Sequence, residues 1–242
     1  MTWYPDTPFA YRNQIVTGDA RDLAKAIPDE TVDLFLTDPA FGIGFDYGTG
    51  YKDDPAEYPQ LLSWLIDEAT RVTKPGCLCF VFQAQRQLRL TWPLFPEHSR
   101  LFAACKTFVQ IRPTAVQFSW DPVVFWQTGG RYPKKNTGRD WHLANNANTG
   151  NRGADEVGFH ACPRPLATIR YIVENFCPVD GVVADYFMGS GTTAVAAKQT
   201  AREFVGFEID PATAERARQR VANTQPIMTG FNDAVEQGRL AL

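Results

Sequence analysis

Nowhere does the 242-residue chain carry the run of about 18 apolar residues that a membrane-crossing helix requires. Its first residues lack a basic, apolar, small-residue leader, so a soluble cytoplasmic protein with no membrane partner is expected. Histidine is scarce, with His98, His142 and His160 far apart. The five cysteines (Cys77, Cys79, Cys105, Cys162, Cys177) are odd in number and show no C-x-x-C spacing. Neither a zinc site nor a disulfide frame is expected, and the thiols read as buried and free. An excess of positive charge is missing too: the net charge of -3 argues against an indiscriminate polyanion binder. What is present is 44% hydrophobic residues, enough for one α/β core but in a chain too short for two full domains.

The most informative stretch runs from Val183 to Asp210. The apolar run Val182–Ala184 stops at Asp185, a Gly189-Ser190-Gly191 turn follows, and Thr192 to Lys198 has helical composition. A second apolar run, Phe204 to Phe207, ends in the acidic residues Glu208 and Asp210. Strand, glycine turn, helix and strand with a carboxylate at its tip describe one βαβ nucleotide pocket. The glycines let the backbone pass close to a ligand, and the start of the helix points unpaired amides at the same place. Glu208 follows Gly191 by 17 residues, near the spacing at which an acidic group meets ribose hydroxyls. Gly189-x-Gly191-x-x-Ala194 also satisfies the dinucleotide fingerprint. Only 32 residues follow Asp210, however, which leaves no room for a second mononucleotide-binding half, so a smaller adenosine cofactor fits better than a nicotinamide or flavin.

A second candidate site closes the strand predicted over Val32 to Thr37, at Asp38-Pro39-Ala40-Phe41-Gly42. Proline biases Asp38 toward an extended backbone, so its side chain and the Pro39 carbonyl can present two acceptors to one planar substrate. Phe41 supplies a ring for stacking. An ordinary Asp-Pro turn is the competing reading of these residues taken alone.

Elsewhere, residues 1 to 13 read as a surface arm, Gln14 to Thr17 as a strand ending at Gly18-Asp19, and Arg21 to Ala26 as a brief helix with Leu23 and Ile27 inward. Asp46 to Pro55 is a Gly- and Tyr-rich loop suited to cover a site. Leu61, Leu62, Leu65, Ile66, Ala69 and Val72 recur at helical spacing until Lys74-Pro75-Gly76, and Cys77 to Phe82 is a buried strand. A helix near Gln85 to Leu90 and strands near Phe102 to Ile111 and Val123 to Gln127 follow. Helices are expected after Pro165 and over Pro211 to Asn223, with a loosely attached tail. Between Gln83 and Arg152 ten basic residues face three acidic ones, a net of +7 that leaves -10 for the rest of the chain. That is the pattern of a localised phosphate-facing surface. Thr128 to Asp155, with Tyr132 and Trp141 among Gly, Asn and basic residues, reads either as a disordered loop or as a nucleic-acid-reading insert that orders on its target.

Taken together, the two motifs and their order resemble the β-group amino DNA methyltransferases, which modify exocyclic nitrogens using S-adenosylmethionine. Asp38-Pro39-Ala40-Phe41 stands where that family has a DPPY-like tetrad. Asp185, Phe187, Gly189 and Gly191 match a D-x-F-x-G-x-G cofactor loop. The resemblance implies a Rossmann-like doubly wound, mostly parallel α/β sheet with a small target-recognition insert: a catalytic half over 14–82, a basic insert over 83–158 and a cofactor half over 160–223. It implies that Glu208 takes the ribose hydroxyls, Asp19 the adenine amino group and Arg164 the methionine part of S-adenosylmethionine. Asp185, Phe187, Met188, Gly189, Ser190, Gly191 and Thr192 would form the remaining cofactor contacts. The implied substrate is double-stranded DNA, acted on by a monomer or homodimer as in restriction-modification. Asp before the first proline favours adenine N6 over cytosine N4. Ala40 in place of the second proline, and Pro163 where Gln is common, depart from the pattern. A catalytically silent DNA-binding relative and, more distantly, a nicotinamide oxidoreductase are the alternatives from other classes.

Overall fold

A computed structural model describes residues 11–47, 51–107, 115–132, 138–144 and 164–227. Among them eight strands form one sheet: β1 (Gln14–Thr17), β2 (Val32–Thr37), β3 (Thr73–Phe82), β4 (Arg100–Lys106), β5 (Trp120–Gln127), β6 (Trp141–Ala144), β7 (Val182–Asp185) and β8 (Glu203–Glu208). The helices are α1 (Ala20–Leu23), α2 (Tyr58–Val72), α3 (Leu88–Thr91), α4 (Leu166–Phe176), α5 (Thr192–Gln199) and α6 (Pro211–Asn223). Strand order is β1-β8-β7-β2-β3-β5-β4-β6. The first five run parallel, β5 is antiparallel to β3 and β4, and β6 is parallel to β4. This is the doubly wound, mostly parallel sheet that the sequence predicts.

Side chains of a strand alternate between faces, and here both faces are covered, so β2 is buried at every position. Leu34 and Leu36 pack with Ile169, Ile172 and Val173 of α4, alanines of α5, and Ala214 and Ala217 of α6. Phe35 turns the other way, into a layer holding Leu62, Leu65, Ala69 and Val72 of α2. Each fully buried Leu or Phe contributes roughly 1.5–3 kcal/mol. From β7 the chain crosses through α5 to β8 on one side, and from β2 it crosses through α2 to β3 on the other. The winding therefore reverses between β7 and β2. The crevice outside their carboxyl ends is where open α/β sheets bind ligands.

Several boundaries differ from the sequence reading. β3 starts at Thr73, not Cys77, and a register shift against β2 absorbs Lys74-Pro75-Gly76. Gly76 has φ +85, and a Cβ there would lie 2.3 Å from the carbonyl oxygen of Arg131, so the bend is built around glycine. The expected helix near 85–90 is reduced to α3 flanked by 3-10 turns, the second of them containing Pro93. Pro165 occupies the N-cap of α4. The stretch 83–158 contributes β4, β5 and β6 to the main sheet, and β6 arises inside Thr128–Asp155, where no strand was expected. Cys77, Cys79 and Cys177 are buried and Cys105 is half-buried, none of the four in a disulfide. Cys162, Arg112, Lys134, Lys135, Arg152, most of the expected arm (1–10), the end of the 102–111 strand (108–111) and the tail beyond 227 lie outside the described residues.

Candidate active site at the sheet switch point

The glycine elbow follows β7. Gly189 and Gly191 adopt left-handed φ of +51 and +80, and the Gly191 amide donates to the Met188 carbonyl at 2.9 Å. Glu208, at the tip of β8, accepts the Gly189 amide at 2.8 Å and the Asp210 amide at 2.9 Å, while burial pushes its carboxyl above the usual range. Asp19 caps α1 at 2.8 Å through the Arg21 amide. It lies just past β1, whose Thr17 pairs with Glu208.

Of the other expected cofactor residues, Asp185, Met188, Ser190 and Thr192 are buried. The Met188 side chain is buried against Gly206, where an added Cβ would come within 2.1 Å of Met188 Cε. Ser190 Oγ and Thr192 Oγ1 lie 3.0 Å apart, and both are contacted by Arg220 of α6, which also donates to the Ser190 carbonyl at 3.0 Å. These side chains pack against protein neighbours and hold the shape of the elbow. Phe187 is half-buried and packs on the α2-side layer. Asp185 is 4% exposed. One of its oxygens accepts from Thr37 Oγ1 (2.7 Å) and the Phe187 amide (3.0 Å), and the other accepts from Thr193 Oγ1 (2.6 Å). Asp185 is thus a brace between β2 and the elbow. Its carboxyl is raised to about 6, first by burial, against the lowering effect of these donors.

Asp38 stands at the tip of β2, one residue beyond Thr37. Arg164 grips both of its oxygens, Nε to Oδ2 at 2.6 Å and Nη2 to Oδ1 at 2.9 Å, and sends Nη1 to Asp121 at 2.6 Å. The guanidinium lies 4.8 Å from the Phe82 ring centre and 5.6 Å from that of Phe41. Lys106 of β4 completes the chain of charges at 2.5 Å from Asp121 of β5. The basic middle of the sequence is therefore linked to the tetrad through Asp121 and Arg164. Arg164, expected against the cofactor, pairs here with Asp38 and Asp121. Pro39 is buried, and Ala40 and Phe41 are half-buried.

Sequence reasoning missed Asp53, Gln87, Asp121 and Arg220. Asp53 is 5% exposed and collects amides from the loop after Phe41. Gln87 donates to the Gly42 carbonyl at 2.9 Å. Asp53 had a legible signal, an acidic acceptor in a glycine-rich loop. The others depend on tertiary pairing.

Beside the tip of β8 lies a cavity of about 470 Å³ lined by Tyr51, Lys52, Asp54, Glu57, Ile209, Asp210 and Pro211. Its size is that of a small-molecule pocket. Ile209, half exposed and next to Glu208, offers it an apolar wall. The left-handed glycines, the half-buried Glu208 carboxylate and this cavity fit an adenosine group with ribose hydroxyls. Asp38 and the glycines do not line the cavity, so their proximity to one another rests on the Thr37–Asp185 bond. Among the described residues no cluster of side chains suits a metal ion, and no helix is long and apolar enough to cross a membrane.

A DNA methylase family model matches residues 125–219, from β5 through α6. The chain is 24% identical over 237 residues to the type II methyltransferase M.ScaI of Streptomyces caespitosus, covering 79% of this chain and 75% of that protein. It is 26% identical over 250 residues to the type II methyltransferase M.BglII of Bacillus subtilis, covering 84% and 67%. Against the type II methyltransferase M.BamHI of Bacillus amyloliquefaciens, at 24% identity over 259 residues, it covers 89% of this chain and 59% of that protein. Among solved structures, the M1.HpyAVI complex with S-adenosylmethionine aligns with a TM-score of 0.64 at 18% identity, over 86% of this chain and 98% of that one. PvuII DNA methyltransferase, described as cytosine-N4-specific, aligns with a TM-score of 0.68 at 16% identity, over 90% and 98%. Motif order, the partial family match and the fold point the same way: the chain is similar to the DNA methylase family over residues 125–219 and to type II methyltransferases over most of its length, and it shares the fold of solved methyltransferases.

Proposed function

We propose that this protein methylates the N6 amino group of adenine in double-stranded DNA. The observation that carries the reading is the 2.7 Å bond from Thr37 to Asp185, which fastens the tip bearing Asp38 to the glycine elbow across the switch point. S-adenosylmethionine, when bound, supplies an electrophilic methyl group on a sulfonium sulfur. Glu208 and the glycine elbow would hold its adenosine end. Asp38 and the Pro39 carbonyl accept the hydrogens of the target amino group and so localise its nitrogen lone pair. Arg164 occupies one site on each Asp38 oxygen and fixes the carboxylate plane, and the second lone pair of each oxygen serves the substrate. The target base leaves the duplex at a cost of a few kcal/mol, which stacking on Phe41 offsets. No covalent intermediate with the protein is required, so the rate rests on positioning and electrostatics.

DNA as the substrate is supported by the exposed Arg86, Arg89, Arg100, Arg131 and Arg139, all from the basic middle. Arg139 lies 5.6 Å from the half-exposed Trp141 ring. The choice of adenine rests on Asp38 preceding the first proline, as in the tetrads it resembles. Cytosine N4 is the rival, since a cytosine-N4-specific enzyme shares the fold. A silent DNA-binding relative is the second, because Ala40 departs from the tetrad. Incubation with methyl-labelled cofactor and unmodified DNA, followed by separation of the nucleosides, tests all three readings. Label in N6-methyladenine supports the proposal, and label in N4-methylcytosine replaces it with the rival. Unlabelled DNA from protein that retains cofactor in equilibrium dialysis identifies the silent relative.

A further inference from the structure

Four amides around the turn that follows Phe41 converge on one residue outside the tetrad. Asp53 Oδ1 accepts the Gly42 amide at 2.6 Å, Oδ2 accepts those of Ile43 (2.9 Å) and Phe45 (3.1 Å), and the Asp53 carbonyl accepts that of Gly44 (3.0 Å). Gly42 and Gly44 have left-handed φ of +61 and +70, which wraps the backbone around the carboxylate as an anion nest. Both oxygens are used as acceptors. An asparagine keeps one acceptor and turns an NH2 group toward amides that are themselves donors.

The turn is seated as well as clamped. A Cβ on Gly42 would lie 2.4 Å from Tyr58 Cβ, and the Tyr58 hydroxyl donates to Gln83 Oε1 at 2.9 Å. Asp53 also sits between Lys52 and Asp54, which line the cavity together with Ile209, Asp210 and Pro211. One buried carboxylate thus joins the cavity wall to the loop that aims Phe41. The tetrad itself lacks such rigidity, because Ala40 has no ring to fix φ.

We propose that Asp53 is a positioning residue for methyl transfer, supplying through backbone amides the rigidity of Phe41 that Ala40 does not. This inference rests on the methyltransferase reading. It is tested with Asp53→Asn, Ala40→Pro and the double variant. Among the described residues the Ala40 amide makes no hydrogen bond, so proline there removes none.

Asp53→Asn is expected to lower the single-turnover rate about 10²-fold, the order of loss that follows a misplacement of about 1 Å. S-adenosylhomocysteine affinity should stay near wild type, the melting temperature should fall by only a few degrees, about what one unsatisfied buried donor costs, and the double variant should regain at least about tenfold of the rate. Amide hydrogen exchange at Gly42, Ile43 and Phe45, slow in the wild type and accelerated in Asp53→Asn, reads the clamp without any activity. Unprotected amides in the wild type overturn the inference, as does a near-normal rate in Asp53→Asn. So does a rate loss that Ala40→Pro fails to relieve, or one matched by lost cofactor affinity and a much larger fall in melting temperature. A wild-type protein with protected amides and no methyl transfer counts against the methyltransferase reading and leaves the clamp standing.

Discussion

One guanidinium, that of Arg164, holds both carboxylate oxygens of Asp38, at 2.6 and 2.9 Å, across 126 positions of sequence. The pair is mostly enclosed, with side-chain exposures of 16% and 26%. Removing one member of such a pair strands the other in a low-dielectric setting. Arg164→Ala leaves Asp38 and Asp121 close together with their shared cation gone. The expected loss is ~1–4 kcal/mol, below the fully buried case because both groups keep some water. Arg164→Lys should recover part of the stability but not the fixed carboxylate plane, since an ammonium cannot make the two-pronged contact. Urea unfolding of the two variants checks the order, and an unchanged midpoint in Arg164→Ala refutes it.

Asp185 gives stability a pH signature. Its carboxyl is raised to about 6 in the folded chain, above the ordinary value near 3.9, so between these values the folded state binds more protons than the unfolded state. Stability from this group is therefore unpenalised below about pH 4, falls as pH rises through the window, and carries the full penalty above about 6. The shift corresponds to roughly 3 kcal/mol. Asp185→Asn keeps hydrogen-bonding capacity toward Thr37 and Thr193 without the charge. Unfolding curves for both proteins between pH 4 and 7.5 should show the wild type losing stability relative to the variant as pH rises. Parallel curves contradict the assignment.

Gly191 is required by its backbone. At φ +80 a side chain is strained, and an added Cβ meets Ala217 Cβ at 3.1 Å. Gly191→Ala is expected to cost ~1–3 kcal/mol in stability and, by shifting the elbow, to weaken S-adenosylhomocysteine binding about tenfold. Calorimetry reads the second effect, and unaltered affinity would remove the elbow from the cofactor site.

The parts of the fold legible in the sequence are those where a local pattern and the tertiary environment agree. β2 reads as a strand because both of its faces are covered, and β7, α5 and β8 because a glycine turn separates two short apolar runs. β6 was illegible, since a half-exposed edge strand among polar residues carries neither alternation nor an apolar run. The early start of β3 was hidden by Pro75-Gly76, a usual stop signal that here forms a bulge. At the site, Asp38 and Glu208 were readable as carboxylates at strand tips. The pairing of Arg164 with Asp38, the Arg220 prop under Ser190 and the Asp53 clamp were not, because each depends on which distant segment folds against the tip. Ser190 and Thr192 were readable as residue types, but their packing against protein neighbours was not.

Asp38→Ala provides the most direct measurement, followed by tritium transfer to DNA in a single turnover alongside calorimetry with S-adenosylhomocysteine. The account predicts no tritium in the DNA while the variant still binds the cofactor product with affinity close to wild type. Near-normal transfer by Asp38→Ala would contradict it.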